Sequence, residues 1–312
     1  MGNPGPGLER RRIRATVAVA AAVLGMPLMF LAGPGVRSAH ARSSSALYYE
    51  TKTDTGALVI DKLELSAPRA NTEVVAVGNA GVFGIAVGGR YLYWSIEMGP
   101  HDRGAIMRAS LTGRRVRRLV GGLNAPDSVI AVNGFVYWND QNAIGRVALD
   151  GSHLQRHFIV LPQELGGGVA DGLASDGTHL YFSRCAEDTI GRARLDGSQV
   201  VTGFIWTGRH SCPQGLALAV RHVYWTQLGS GTIGRAGLDG RRADRRWLNI
   251  RSRQGPFQLA ADSAHVYWTW GGVDGSPAYT GRVGADRAHL DLRYLADSLY
   301  PLALAGGAAG GG

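Results

Sequence analysis

Cysteine and lysine are nearly absent from this chain of 312 residues. It has two cysteines, Cys185 and Cys212, and two lysines, Lys52 and Lys62, so 31 of its 33 basic residues are arginine. Neither cysteine is accompanied by the CxxC or HxxxH spacing of zinc ligands, which argues against structural zinc. The GxSxG and HExxH motifs are also absent, so no transferable catalytic motif indicates an enzyme.

The net charge gives limited information about partners. The formal charge of the whole chain is +9, but residues 1–41 carry five arginines and one glutamate, which leaves +5 for the rest. An excess of this size attracts acidic partners through the summed field of the protein. Because no basic run with interleaved aromatic residues marks a nucleic-acid track, we expect no nucleic-acid binding.

The first 41 residues have the pattern of a secretory signal peptide. Four arginines at positions 10–14 precede an apolar run at 15–33, and Ala39-His40-Ala41 supplies a small-x-small cleavage site. We therefore expect export, cleavage after Ala41 and no stable membrane span afterwards. The alternative is an uncleaved anchor, since the apolar run is long. The predicted organisation is a signal peptide at 1–41, a leader at 42–46, a single domain at 47–305 and a flexible tail at 306–312.

An aromatic pair recurs along the chain at a nearly constant interval. The second aromatic residue of successive pairs is separated by 43 to 45 residues, a period typical of β-propeller blades. These marker residues are Tyr49, Trp94, Trp138, Phe182, Trp225 and Trp268.

Each repeat predicts four short strands, which we name A to D. Strand A is a small apolar run, strand B holds the aromatic pair, strand C holds an Ile-Gly-Arg run, and strand D follows an Asp-Gly turn. Residues 224–240 show the order from B to the turn, as YWTQLGSGTIGRAGLDG. Asp-Gly pairs suit tight hairpins, where a positive φ is needed. Six such repeats predict an all-β fold, a six-bladed β-propeller of four-stranded blades.

The two ends of the repeat region complement each other. The first repeat, at 47–77, has no strand A before it, and the segment at 299–305 matches strand A but has no strand B after it. We therefore predict that the C-terminal strand completes the first blade and closes the ring, which removes the open sheet edge.

Strands B and C carry a resemblance to a known family. The matching stretches are Tyr137-Trp138-Asn139-Asp140, Tyr224-Trp225-Thr226 and Tyr267-Trp268-Thr269, followed by Ile144-Gly145-Arg146 and Ile233-Gly234-Arg235. They resemble the YWTD repeat of the low-density-lipoprotein-receptor class of six-bladed propellers, over nearly all of residues 47–305. The aspartate of the motif is present only as Asp140; Ile96, Arg184, Gln227 and Trp270 take its place elsewhere.

A second resemblance rests on the turn before strand A. Pro213-Gln214-Gly215-Leu216, together with the aromatic and Ile-Gly-Arg strands, is similar to the repeats of secreted bacterial propeller lyases of the virginiamycin B lyase type. This resemblance implies a lyase with its site at the channel mouth. That family has seven blades, whereas this sequence has six repeats.

The two cysteines fall in loops of neighbouring repeats. Cys185 follows strand B of the fourth repeat and Cys212 precedes strand A of the fifth. In a propeller the B–C loops and the D–A loops emerge on the same face. Because paired cysteines are usual in exported proteins, we predict a disulfide between them.

Two further sets of residues recur once per repeat. His179, His222 and His265 lie two residues before the tyrosine of strand B, where other repeats have Tyr91 and Phe135, so we interpret this as a packing position and not a metal site. One basic residue in each strand C is interpreted as pairing with turn aspartates such as Asp150, Asp196 and Asp239. These basic residues are Lys62, Arg108, Arg146, Arg192, Arg235 and Arg282.

The B–C and D–A loops hold the candidate functional residues, because propeller loops gather over the channel mouth. We hypothesise a monomeric module that binds a protein or a cell-envelope glycan there without a cofactor. The candidate binding residues are Glu97, His101, Asp102, Asp140, Arg184, Asp188, Gln214 and Trp270, the last expected in a solvent-facing loop.

The alternative hypothesis is a metal-assisted lyase or hydrolase at the same loops. A histidine with nearby carboxylates can act as a general base beside a bound Mg²⁺ or Ca²⁺. The candidate catalytic residues are His210, His101 and Glu187.

Overall fold

A computed structural model describes residues 46–66, 71–78, 80–97, 104–140, 143–162, 170–219, 221–250, 255–271, 277–296 and 298–305. Within these ranges the chain forms 24 strands, and no helix there is long and apolar enough to cross a membrane. The strands are β1 (Ala46–Lys52), β2 (Leu58–Glu64), β3 (Asn71–Gly78), β4 (Val82–Gly88), β5 (Tyr91–Ile96), β6 (Gly104–Ser110), β7 (Arg117–Leu123), β8 (Pro126–Val132), β9 (Phe135–Asp140), β10 (Ala143–Ala148), β11 (Gln155–Val160), β12 (Ala170–Ser175), β13 (His179–Arg184), β14 (Thr189–Arg194), β15 (Val201–Trp206), β16 (Pro213–Ala219), β17 (His222–Gln227), β18 (Thr232–Gly237), β19 (Asp244–Asn249), β20 (Pro256–Ala261), β21 (His265–Gly271), β22 (Ala278–Gly284), β23 (Asp291–Ala296) and β24 (Leu299–Ala305).

The strands form six antiparallel sheets of four, the blades of a β-propeller. Blade 1 contains β24, β1, β2 and β3 in that order, and blades 2 to 6 take the next strands in groups of four, from β4–β7 to β20–β23. The innermost strand of each blade contacts the innermost strand of the next around the whole ring. The predicted six-bladed fold is confirmed.

Ring closure follows the predicted route. Strand β24 pairs antiparallel with β1, with Leu304 opposite Leu47 and Leu302 opposite Tyr49. Residues 1–45, with the predicted signal peptide and most of the leader, and the predicted tail at 306–312 lie outside the described residues. The last leader residue, Ala46, begins β1.

The Ile-Gly-Arg run of strand C is explained by the aromatic residue across from it. Gly145 pairs with Trp138, and a Cβ atom on Gly145 would lie 2.3 Å from the indole Cζ2. Gly234 pairs with Trp225 in the same way, and its Cβ atom would lie 2.3 Å from the indole Cε2. Only glycine leaves room for the ring to lie flat on strand C, and both tryptophans are fully buried between blades.

In blades 2 to 4 the arginine of strand C joins its blade to the next, and not to an aspartate as expected. Arg146 Nη1 donates to the Leu195 carbonyl oxygen of blade 4 at 3.2 Å, and Arg192 Nη1 donates to the Leu238 carbonyl oxygen of blade 5 at 3.3 Å. Each guanidinium also stacks on an aromatic ring, as Arg192 does on Phe204 at 3.9 Å. Planar guanidinium groups suit this combination of stacking and hydrogen bonding.

The turn aspartates instead stabilise their own turns. Asp150 Oδ1 accepts hydrogen bonds from the Ser152 backbone nitrogen at 2.8 Å and from the Ser152 hydroxyl at 2.7 Å. These bonds lower the pKa of the Asp150 carboxyl group. The following Gly151 has the positive φ that the Asp-Gly pattern predicts, at 101°.

In blades 4 and 5 the residue after the marker aromatic links neighbouring inner strands. The Ser183 hydroxyl donates to the Gln214 carbonyl oxygen of blade 5 at 2.7 Å and accepts from the Gly172 nitrogen of its own blade at 2.7 Å. Thr226 does the same between Gly215 and Phe257. A bulge in each inner strand frees the glycine nitrogen for this bond.

The histidine position has the structure expected of a packing position. His179 lies against Tyr181 with ring centres 6.3 Å apart, and His222 lies against Tyr224 at 6.0 Å. Tyr91 makes the same contact with Tyr93 at 6.3 Å. The predicted packing role is therefore confirmed for this position.

Candidate binding face

The B–C and D–A loops share one face of the ring, which we call the loop face. Cys185 in the B–C turn of blade 4 and Cys212 in the loop entering blade 5 form a disulfide, as predicted. Since the two half-cystines come from the two kinds of loop, their bond confirms that these loops emerge together.

Asp188 organises the loop entering blade 5. Its Oδ2 accepts the His210 backbone N–H at 2.6 Å, and its Oδ1 accepts the Cys212 N–H at 2.9 Å and the Ser211 hydroxyl at 3.2 Å. Its carbonyl oxygen accepts the buried Thr207 hydroxyl at 2.6 Å. Both carboxylate oxygens are therefore engaged in holding a loop of the same face.

Arg184 and Glu187 form a buried ion pair beside the disulfide. The Arg184 side chain is 4% exposed, and its Nη2 lies 3.0 Å from Glu187 Oε1. The same nitrogen donates to the Pro162 carbonyl oxygen at 3.3 Å, which ties the loop after β11 to blade 4. The buried Arg184 side chain therefore holds the loops of this face in place, and its charge is not exposed to solvent.

Asp140, the aspartate of the YWTD-like motif, holds the preceding D–A loop. Its Oδ1 accepts the Asn124 N–H at 2.9 Å. Glu97 is exposed immediately after β5, and Gln214 is half-buried near the start of β16. His101 and Asp102 lie outside the described residues.

Trp270 does not lie in the solvent-facing loop expected from sequence. It belongs to β21, where it pairs with Pro256 and Tyr279. Its Nε1 donates to the Leu292 carbonyl oxygen at 2.7 Å, and its ring centre is 5.1 Å from that of Tyr279. The half-buried ring packs on the blade because this position belongs to strand B, as it does in β5, β9, β13 and β17.

His210, the candidate general base, is exposed in the loop that Asp188 holds, with a positive φ of 57°. Glu187, its candidate carboxylate partner, is paired with Arg184 as described above. Among the described residues, no group of three or more histidine, cysteine, aspartate or glutamate side chains is placed to hold a metal ion. Metal and cofactor content stay predictions, because His101 and Asp102 are not described.

Glu50 is a functional candidate that sequence reasoning did not single out. It occupies the position of Ser183 and Thr226 in blade 1, is 5% exposed, and its Oε1 accepts the Val82 N–H of blade 2 at 3.0 Å. Burial raises the pKa of Glu50 to about 8, although the Val82 N–H and the charge of Lys52 act in the opposite direction. The signal in the sequence is an acidic residue where other repeats have serine or threonine.

A cleft between blades 4 and 5 was also missed. It has a volume of about 180 Å³ and includes three arginines among its lining residues, Arg209, Arg245 and Arg246. At its edge Trp206 is 54% exposed, and the Arg245 guanidinium lies 4.4 Å from the centre of its ring. The sequence signal is the arginine-rich run at 241–246, whose position relative to Trp206 depends on how the blades pack.

Comparisons with known proteins support the fold alone. No protein-family model and no curated protein match the sequence. The fold is similar to a chain of a nidogen/laminin complex, with a TM-score of 0.64 and 16% identity over 84% of this chain and 98% of that one. It is also similar to TolB from Acinetobacter baumannii, with a TM-score of 0.62 and 12% identity over 84% and 67%.

An enzyme is among the similar structures too. The PQQ-bound aldose sugar dehydrogenase from Streptomyces coelicolor matches with a TM-score of 0.50 and 15% identity, over 73% of this chain and 89% of that one. Since a propeller carries unrelated functions in these proteins, the function of this chain must be argued from its own residues.

Proposed function

We propose that this protein is an exported, YWTD-like propeller that binds a protein or cell-envelope ligand through its loop face. Export is supported by the signal-like residues 1–41 and by the disulfide, which is a feature of oxidising compartments. The YWTD-like character is supported by the motif residues, and by Asp140 accepting a hydrogen bond from the adjoining loop.

The observation that carries the proposal is the engagement of the loop-face carboxylates. Both carboxylate oxygens of Asp188 and the Oδ1 atom of Asp140 accept hydrogen bonds from backbone groups, and the disulfide fastens the same region. This arrangement fixes the shape of the loops before a ligand arrives. A surface that is already ordered loses less conformational entropy on association, which favours binding.

The proposed contact surface combines candidate residues of the loop face with residues that hold the loops. Asp140, Arg184 and Asp188 set the loop conformation. The remaining residues of the proposed surface are Glu97, His101, Asp102 and Gln214. A metal-assisted lyase or hydrolase using His210, His101 and Glu187 stays the alternative.

Cosedimentation of the exported form, residues 42–312, with isolated cell envelopes tests the proposal. We expect saturable binding that is lost after protease treatment for a protein ligand, or after periodate treatment for a glycan. Glu97→Arg on the loop face should weaken binding, whereas Asp196→Arg, the same charge change on the opposite face, should not. Absence of saturable binding, or equal loss with both variants, would contradict the proposal.

A further inference from the structure

Positive charge is concentrated in one blade. Residues 207–253 contain nine arginines and two aspartates, a net charge of +7, although the whole chain has only +9 with its N-terminal arginines included. This segment covers blade 5 and the loops at either end of it. A segment with this much net positive charge favours the approach of an anion.

The backbone of blade 5 turns two consecutive arginines outward. The register between β18 and β19 shifts between Ile233 and Arg235, so strand β19 bulges. Arg245 and Arg246 are both exposed, although neighbours in a regular strand would point to opposite sides. The Gln227 amide, buried in the cleft wall, donates to the Arg245 carbonyl oxygen and fixes the bulge.

The acidic residues near these arginines are already paired. Asp244 accepts a hydrogen bond from Arg287 Nη2 of blade 6 at 2.5 Å, and Asp188 accepts its bonds from the loop backbone. None of the described residues lining the cleft is acidic; besides the arginines they are Thr207, Gly208, Ser211, Gln227 and Ser230. The cleft thus presents cationic and hydroxyl-bearing side chains without an internal counter-charge.

Trp206 adds an apolar platform at the edge of the cleft. Arg245 Nε donates to the Trp206 carbonyl oxygen at 3.3 Å while its guanidinium stacks on the ring, so the two side chains hold each other in place. About half of the indole stays exposed. An exposed, fixed aromatic ring beside a cationic cleft is suited to a ligand with a flat face and an anionic substituent.

We propose that this cleft binds the carboxylate or phosphate group of an acidic saccharide, whose sugar ring packs on Trp206. A cleft of about 180 Å³ is smaller than the roughly 300–1,000 Å³ of a pocket for a whole small-molecule ligand, so it takes one anionic group of a larger molecule. Arginine binds both anions in a bidentate manner. The C–H face of a sugar ring can cover the indole. An acidic side chain of a flexible peptide has no such flat face.

This inference rests on the proposed function and names the ligand class of the same face. It is tested by calorimetry with two acidic saccharides, trigalacturonic acid for the carboxylate and glucose 6-phosphate for the phosphate. Methyl-esterified trigalacturonate serves as the neutral saccharide and hexaglutamate as the acidic peptide. The variants are Arg209→Gln/Arg246→Gln and Trp206→Ala, all at exposed side chains. The matched control is Arg241→Gln/Arg242→Gln, which removes the same charge from the opposite face of the same blade.

We expect one of the two acidic saccharides to bind, and the neutral ester not to. The cleft double variant should raise its Kd about tenfold or more, since charge-assisted hydrogen bonds are lost. Trp206→Ala should raise the Kd about threefold to tenfold, while the melting temperature of the variant stays that of the parent protein. The Kd of the control variant should stay within about twofold of the parent value.

Three outcomes would overturn the inference. The first is that the control variant weakens saccharide binding as much as the cleft variant does. The second is that hexaglutamate binds as tightly as the acidic saccharide and Trp206→Ala has no effect. The third is that neither acidic saccharide binds. Envelope binding that persists in all cleft variants would overturn this inference and leave the proposed function standing. Binding of an acidic saccharide without any envelope binding would overturn the proposed function alone.

Discussion

The Asp188 Oδ1 atom lies 2.9 Å from the backbone nitrogen of Cys212, so a carboxylate and a disulfide hold the same loop. We predict that Asp188→Ala lowers the free energy of unfolding by about 2–4 kcal/mol, because two backbone donors and the Ser211 hydroxyl lose a charged acceptor. Asp196, whose carboxylate accepts bonds only within an exposed turn, is the matched control: Asp196→Ala should have an effect below about 1 kcal/mol. Urea denaturation measures both values, and equal effects would refute the role given to Asp188.

Removing residues 299–312 should prevent the ring from closing. Strand β24 supplies the inner strand of blade 1 and contacts β4 and β20 of the neighbouring blades. Its loss exposes the edge of β1 and the buried side chains of Leu47 and Tyr49. We expect aggregation or loss of the cooperative thermal transition, seen by light scattering and circular dichroism. A truncated protein that melts within a few degrees of the full chain would disprove this role of β24.

Glu50 should make the protein less stable as the pH rises. Its pKa in the folded protein is about 8, above the ordinary value of 4.5, so the folded state binds its proton more tightly than the unfolded state does. The stability linked to this proton is fully present below about pH 4.5 and is lost as the pH rises towards 8. Glu50→Gln keeps the acceptor for the Val82 N–H and removes the charge.

The expected difference between Glu50→Gln and the parent protein is therefore pH-dependent. At pH 8 to 9 the variant should be more stable by roughly 2–5 kcal/mol, and at pH 4 the two should be nearly equal. Chemical denaturation across this pH range gives the comparison. A difference that does not vary with pH would show that Glu50 is not a buried, titrating group.

The binding hypothesis predicts that the purified protein carries no stoichiometric divalent metal. Removal of trace metal with EDTA should leave the melting temperature unchanged. Elemental analysis that finds one Mg²⁺ or Ca²⁺ per chain would favour the metal-assisted alternative. Loss of that metal in Glu187→Ala or Asp188→Ala would place it at the loop face, with the His210 loop beside it.

The sequence predicted most of the fold because each blade repeats the same local requirements. The six aromatic marker residues predicted the number of blades. The segment at 299–305, which matches strand A but has no strand B after it, predicted how the ring closes. Glycine opposite tryptophan in strand C is a signal of the same kind, since Gly145 leaves the space that Trp138 fills.

The parts of the candidate site that sequence did not predict depend on contacts between blades. The arginines of strand C were expected to pair with aspartates, but those of blades 2 to 4 donate to carbonyl oxygens such as that of Leu195. A carbonyl oxygen has no signature in a sequence. The proximity of Trp206 and Arg245 arises in the same way, from strands of different blades that are 39 residues apart. The position of Trp270 depended on how far β21 extends, which strand patterns define poorly.

The pairing of β1 with β24 also sets where attached segments leave the molecule. Strand β1 runs towards the loop face and β24 runs away from it, and Ala46 pairs with Ala305 at their far ends. A tag, a fusion partner or an anchor joined directly to Ala46 or Ala305 would therefore leave from the face opposite the loops. A protein immobilised through such an attachment would direct its loop face outward, away from the support.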